Sequence, residues 1–308
     1  MNGTWVRQGQ LALDTSRATS WAATHAALPV PEQVETGVWN LYLSLRDRSG
    51  RARIGRSRLT LDPTPTLDPL EPDPVLDLGE QGTFDDSGVV TSCLHTIDER
   101  RYLFYTGWSR GQTVPFYLGA GLAISERGGP FRRVSRAPVL DRSDSEPFLT
   151  ASPFALFDGH RWRMWYVSGT GWIDRQPTPE PSYNIRYAES EDAIRWQRSS
   201  RACVEHGPGE HAFGRPWVVR ERNVYRMWFS ARGERYRIAY AESPDGLTWS
   251  RDDHAAGLRP SHEGWDSEMV EYPCLIDHRG RRYMLYNGND YGRSGVGVAV
   301  WQGPALER

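Results

Sequence analysis

The chain has 308 residues, 38% hydrophobic and 25% charged, with 13 tryptophans, 14 tyrosines and a formal net charge of −2. Such a composition can bury a sizeable core in one large domain or two ordinary ones, and its charge gives no general attraction to nucleic acid or to an anionic membrane. No stretch approaches the roughly 18 consecutive apolar residues of a membrane span, and the absence of lysine excludes Schiff-base chemistry and a P-loop lysine.

In chain order, the N-terminal MNGTWVRQGQLAL lacks the basic and long apolar regions of a signal peptide. A short segment, THAALPVPE (24–32), is followed by VWNLYLSLR (38–46), and this pair opens a repeat. Versions of the second segment recur as RRYLFYTGW (100–108), RWRMWYVSG (161–169), VYRMWFSAR (224–232) and RRYMLYNGN (281–289). Their equivalent positions are Leu41, Leu103, Met164, Met227 and Met284, at spacings of 62, 61, 63 and 57 residues. The segment before each also recurs, as VVTSCLHTI (89–97), LTASPFALF (149–157), FGRPWVVRE (213–221) and MVEYPCLID (269–277). A third element follows: GLAISERGGPF (121–131), IRYAESEDAIRW (185–196) and IAYAESPDGLTW (238–249), each a strand, a tight turn and a returning aromatic.

Three or four strands per unit and five units predict an all-β, five-bladed β-propeller. The Pro-rich stretch 61–80 has the length of a blade connection plus an outer strand, so a single domain over 1–308 is expected. The last unit ends with a third strand at 298–302, and Trp5–Leu13 is expected to supply its outer strand and close the ring. The three cysteines, Cys93, Cys203 and Cys274, are odd in number and widely spaced, which points to a reducing compartment, the cytoplasm.

In a propeller the first strand of each blade lines the central channel. Aligning first strands on Ser92, Pro153, Pro216 and Pro273 puts Asp85, Glu146, Gly209 and Asp266 seven residues upstream. Asp86 and Glu210 fall six residues upstream and Glu268 five, so each of these blades brings a carboxylate toward one mouth. Arg215 falls one residue before its anchor, and His25 lies near the same rim. Paired carboxylates are what glycoside hydrolysis requires, one protonated as general acid and one ionised as nucleophile or base. Crowding acids in one funnel raises some of their pKa values. Asp86, Glu210 and Glu268 are therefore the expected catalytic residues. His25, Asp85, Glu146, Arg215, Asp266, Asn287, Asn289 and Tyr291 are the expected substrate contacts, with Arg215 pointing to an anionic sugar. Phe84, Trp108, Trp172 and Trp265 are placed to stack on sugar faces.

The stretches THAALPVPE, GTFDDSGV (82–89), LTASP, WDSEM and YNGNDYGRSGVG (286–297) resemble a group of bacterial glycosidase-like five-bladed propellers found near polysaccharide or natural-product genes. More widely, the pattern resembles the furanosidase superfamily of invertases, arabinanases and β-xylosidases, and the N-terminal propeller of glucosamine inositolphosphorylceramide transferases is similar. The invertase-type NDPNG is absent, with FDDSGV in its place, and blade two offers Glu146 where the better-known hydrolases have an Asp. The resemblance implies acids delivered by the first strands of successive blades.

The leading expectation is thus an enzyme that cleaves or transfers the glycosidic bond of a small sugar-containing molecule, without a cofactor and without a nucleic-acid or membrane partner. The alternatives are a non-catalytic glycan- or partner-binding propeller, and a metal-dependent lyase, isomerase or hydrolase using His25 and the acids. No H-x-x-H or H-x-x-E-H spacing supports a metal, and none is assigned.

Overall fold

The computed structural model describes residues 3–304. Its strands follow the repeats in antiparallel units, which hydrogen bonding joins into one four-stranded and two eight-stranded sheets. The N-terminal strand β1 (Thr4–Leu11) precedes the first unit, which comprises β2 (Thr24–Glu35), β3 (Val38–Arg46), β4 (Ala52–Thr60) and the short outer β5 (Thr66–Leu67). The second unit is β6 (Gly88–Ile97), β7 (Arg100–Arg110), β8 (Phe116–Glu126) and β9 (Arg132–Arg133). The third is β10 (Thr150–Phe157), β11 (Trp162–Ile173), β12 (Glu180–Ser190) and β13 (Gln197–Ala202). The fourth is β14 (Ala212–Glu221), β15 (Val224–Arg232), β16 (Tyr236–Ser243) and β17 (Ser250–Arg251), followed by the one-turn helix α1 (Asp253–Ala256). In the fifth, β18 (Glu271–His278), β19 (Arg281–Asn287) and β20 (Val296–Gln302) are joined by β1, which pairs along β20 from Thr4↔Gln302 to Leu11↔Val296.

The repeat has a packing cause. Leu41, Leu103, Met164, Met227 and Met284 are all fully buried in the middle strands. Each such burial contributes about 1.5–3 kcal/mol. The core lies between units rather than within one. One cluster joins Phe104, Trp162, Met164 and Met227, and another joins Leu41, Cys274 and Leu285 of the first and fifth units. The first strands touch in cyclic order, β2 on β6, β6 on β10, β10 on β14, β14 on β18 and β18 on β2.

Each first strand also carries a bulge, seen as register breaks at Thr24/Ala27 and Ala27/Val30, Thr91/Cys93, Ala151/Phe154, Gly214/Trp217 and Glu271/Cys274. Leu28, Ser152, Arg215 and Tyr272 adopt positive φ there, between 46° and 56°. Bulges re-aim side chains, and left-handed non-glycine residues cost about 1–3 kcal/mol each. Four of the bulges are held by a side chain from the middle strand of the preceding unit. Ser44 Oγ accepts the Thr91 N–H (2.9 Å), Thr106 Oγ1 that of Ser152 (2.7 Å), Ser230 Oγ that of Tyr272 (2.8 Å) and Asn287 Oδ1 that of Leu28 (2.9 Å). These acceptors stand three residues after Leu41, Leu103, Met227 and Met284; the equivalent third-unit position is Val167, and the neighbouring Ser168 Oγ is buried without a hydrogen-bond partner.

Candidate functional site

The starts of the first strands, the ends of the middle strands and the starts of the third strands share one face. Where the five units meet there, they enclose a cavity of about 730 Å³. Leu28 and Arg46 come from the first unit, Val90, Thr106 and Trp108 from the second, Ser152 and Tyr183 from the third, Gly214, Arg232 and Tyr236 from the fourth, and Tyr272 and Tyr291 from the fifth. The β11–β12 connection roofs one side with Arg175, Gln176, Pro179 and Glu180.

Two carboxyl groups belong to this region, in opposite surroundings. Glu180 faces three cationic or potentially cationic groups: it pairs with Arg232, with Arg175 at 2.9 Å and with His211 at 3.5 Å. Glu271, at the start of β18, is completely buried, and neither oxygen has a hydrogen-bond partner. Burial pushes its pKa well above the usual carboxyl range, with Tyr272, Arg232 and Arg46 pulling the other way. Tyrosines surround it. Burial raises Tyr183 to about 12 although the Tyr236 hydroxyl, its hydrogen-bond partner, opposes this. Burial likewise raises Tyr236, Tyr272 and Tyr291. Beneath the cavity floor Arg215 is 1% exposed and lacks a carboxylate partner; its Nη2 donates to Pro29 O (2.8 Å) and its Nη1 to Thr91 O (3.4 Å), while Nε is unpartnered. Burial lowers its pKa to about 10, which leaves it charged at neutral pH.

The expected ring of acids is repeated in space as it is in sequence, but its members turn into the blades. Asp85 Oδ2 accepts from Tyr105 OH (3.0 Å) and Arg133 Nε (2.7 Å). Glu146 accepts from Tyr166 OH (2.8 Å) and pairs with Arg198 (3.3 Å) and Arg186 (3.5 Å). Asp266 accepts from Tyr286 OH (2.9 Å), Arg7 Nε (2.7 Å) and Ser261 Oγ (2.6 Å). In all three the tyrosine lies 20 residues downstream on the middle strand, and one arginine comes from the outermost strand, β9, β13 or β1. Glu210 takes the same place in the fourth unit with Phe229 instead of tyrosine. Arg251 of β17 grips it bidentately (2.6 and 2.8 Å), Gly207 N–H donates at 2.8 Å, and Arg237 adds a further pair. Burial alone would raise its pKa, but these donors bring it to about 2. Gly107 is required beside Asp85, since a Cβ there would stand 2.4 Å from the Phe84 ring and 2.5 Å from Asp85 Cβ.

The remaining expected residues disperse. Asp86 closes its own turn, accepting from Gly82 N–H (3.0 Å) and Ser87 Oγ (2.8 Å), and lines a separate depression with Tyr117 and Arg142. Glu268 is exposed, its backbone N–H bound by Asn289 Oδ1 (2.8 Å). Asp86, Glu210 and Glu268 are thus not assembled around one reacting centre. Asn287 is fully buried as a bulge holder, its Nδ2 donating to Ala26 O and Gly295 O, and has no capacity left for a sugar. His25 bonds to Thr24 Oγ1 (2.9 Å) and opens onto a neighbouring cleft with Arg293; burial lowers its pKa to about 4, so it is neutral at pH 7. Arg215 grips carbonyls rather than an acid. Of the expected contacts only Tyr291 lines the axial cavity, joined by Trp108. Phe84 stacks on Tyr105 and Trp265 on Tyr286, which commits both to packing. Among the described residues no three His, Cys, Asp or Glu side chains come close enough to hold a metal ion. Glu180 and Arg232 escaped the repeat alignment because they stand on third- and middle-strand ends, and Glu271 because it reads as a buried strand residue.

This arrangement of sheets is the fold of glycoside-hydrolase-like β-propellers. BT0996, solved as a complex with RGII, superposes over 98% of this protein and 93% of its own length, with a TM-score of 0.72 at 18% identity. A glycosyl hydrolase from Bacteroides ovatus superposes over 91% of this protein and 84% of its own length, with a TM-score of 0.68 at 16% identity. No family model matches the sequence. The protein belongs to the same family as the uncharacterized protein Rv1502 of Mycobacterium tuberculosis strain H37Rv, with 42% identity over 297 residues that cover 96% of this sequence and 98% of the relative.

Proposed function

We propose that the five units form one closed five-bladed propeller domain, with β1 on β20 as its closing strand, and that its axial cavity binds a sugar-containing small molecule and cleaves or transfers its glycosidic bond. The cyclic contacts of the first strands and the Asn287–Leu28 hydrogen bond from fifth unit to first support closure. The observation that carries the chemistry is the pair of unlike carboxyls at one cavity, Glu271 buried without an ion pair and with its pKa raised, and Glu180 ion-paired to Arg175 and Arg232. A carboxyl whose pKa is raised by burial is suited to the general-acid role. Glu271 lies behind the wall, so its proton travels through the hydroxyl of the neighbouring Tyr272, which must first close to hydrogen-bonding distance of its carboxyl. That hydroxyl gives its proton to the leaving glycosidic oxygen as the C–O bond breaks, and Glu271 reprotonates the phenolate. Glu180 takes the proton of the attacking water or acceptor hydroxyl. The tyrosines and Trp108 supply stacking faces for the sugar. The three cysteines are unpaired and buried, which supports a cytoplasmic setting.

The test is turnover of a panel of p-nitrophenyl furanosides and pyranosides. The wild-type protein is expected to release nitrophenol from at least one, and Glu271→Gln to lower that rate about 100-fold or more while still binding. Equal rates in the two proteins would end the assignment. One observation favours a purely sugar-binding propeller: the bulge positions aimed at the axis, Leu28, Thr91, Ser152, Arg215 and Tyr272, include no carboxylate. On that reading the cavity binds sugar and the whole panel stays intact.

A further inference from the structure

The axial cavity carries unbalanced positive charge. Arg46, Arg175 and Arg232 line it, against Glu180 as the one carboxylate in its lining; Glu271, whose pKa burial raises, lies behind the wall. Glu180 engages both Arg175 and Arg232, and among the described residues Arg46 has no ion-pair partner. Arg215 adds a fully buried charge under the floor, with no acid beside it and its Nε unpartnered. This contrasts with the rest of the fold, where Arg133, Arg198, Arg251 and Arg7 each close on a buried carboxylate. Arg46 and Arg175 are exposed at the cavity and Arg232 is half-buried, so Arg215 alone is a guanidinium buried without counter-charge, a placement that costs several kcal/mol unless its field is used.

We propose that the cavity selects an anionic sugar, one whose phosphate or carboxylate is seated by Arg46 and Arg232 while its ring lies against Tyr236, Tyr272 and Tyr291. The inference rests on the sugar-site reading and adds its substrate class. Phosphate and carboxylate share the bidentate geometry that a guanidinium fork recognises. The opposed electrostatics of the site favour an anion that enters beside Glu180 rather than replacing it: Glu180 keeps Arg175, and Arg46 is the free fork.

Calorimetric titration of the full-length protein with glucose 6-phosphate, glucuronate, glucose and inorganic phosphate tests this. One of the two charged sugars is expected to bind about tenfold or more tightly than glucose, which is about 1.4 kcal/mol, and which of them does so separates phosphate from carboxylate. Arg46→Ala is expected to remove that advantage, and Arg46→Lys to restore part of it, with unchanged Tm in both. Glucose binding as well as its charged counterparts would overturn the inference and leave a sugar site standing. Inorganic phosphate binding equally to wild type and Arg46→Ala would locate the anion elsewhere and also overturn it. Binding of none of the four would end the anionic class, whereas the glycosidic chemistry would still be decided by the Glu271→Gln turnover comparison.

Discussion

The blades and the axial cavity use the same residue types to opposite ends. In four blades the rim acid, Asp85, Glu146, Glu210 or Asp266, meets an arginine from the outermost strand and, in three of them, a tyrosine from the middle strand. In the cavity an arginine has no acid, a buried acid has no donor, and four tyrosines crowd about it. A satisfied pair stabilises one geometry and offers nothing to a ligand; an unsatisfied one is tolerated where binding or proton transfer uses it. Repetition marks scaffold, and its breaking marks the site.

The sharpest way to break this contrast is to remove a blade acid. Glu146→Gln leaves Arg198 and Arg186 facing a buried neutral amide, and should lower stability by about 3 kcal/mol in chemical denaturation. Glu271→Gln is the opposite case. Because its folded pKa is raised, Glu271 is ionised more readily unfolded than folded, so its contribution to stability is lost as pH rises above 4.5 toward the folded value. The glutamine variant should therefore match or exceed wild-type Tm at pH 8 while losing turnover.

Glu210 gives the converse pH dependence. Its folded pKa of about 2, against 4.5 unfolded, contributes stability that is full above pH 4.5 and lost as pH falls toward 2. Glu210→Gln should flatten the acid limb of a Tm–pH profile in that window. The smallest effects concern the bulges. Ser230→Ala, which strips the Tyr272 N–H of its acceptor, should cost about 1 kcal/mol. Ser168→Ala, where the hydroxyl has no partner, should be neutral or slightly stabilising by the same measurement.

Much of the sheet architecture was legible because burial of one apolar residue per middle strand forces a period on the chain, and Leu41, Leu103, Met164, Met227 and Met284 display it. The observed middle strands begin within one residue of the repeats, and β1 pairs where Trp5–Leu13 was expected. The site was legible only as a rim. Sequence alignment placed Asp85, Glu146 and Asp266 at equivalent radial positions but not their direction, which is set by partners 20 residues on and by an arginine on the outermost strand. That acid–tyrosine spacing was present in the sequence and would have identified the three as scaffold. The place of Asn287 as bulge holder was hidden for a similar reason, since it depends on β2, the most distant first strand in sequence. Glu180 and Arg232 meet only through the β11–β12 and β15–β16 connections, and no local spacing announces a contact between third- and middle-strand ends.

The most direct measurement is infrared spectroscopy of the carboxyl stretch at neutral pH, comparing wild type with Glu271→Gln and Glu146→Gln. A protonated-carboxyl band that disappears in Glu271→Gln and persists in Glu146→Gln is the predicted result, which would place the protonated acid behind the cavity wall. A spectrum without that band, or one that loses it in Glu146→Gln instead, would contradict the account.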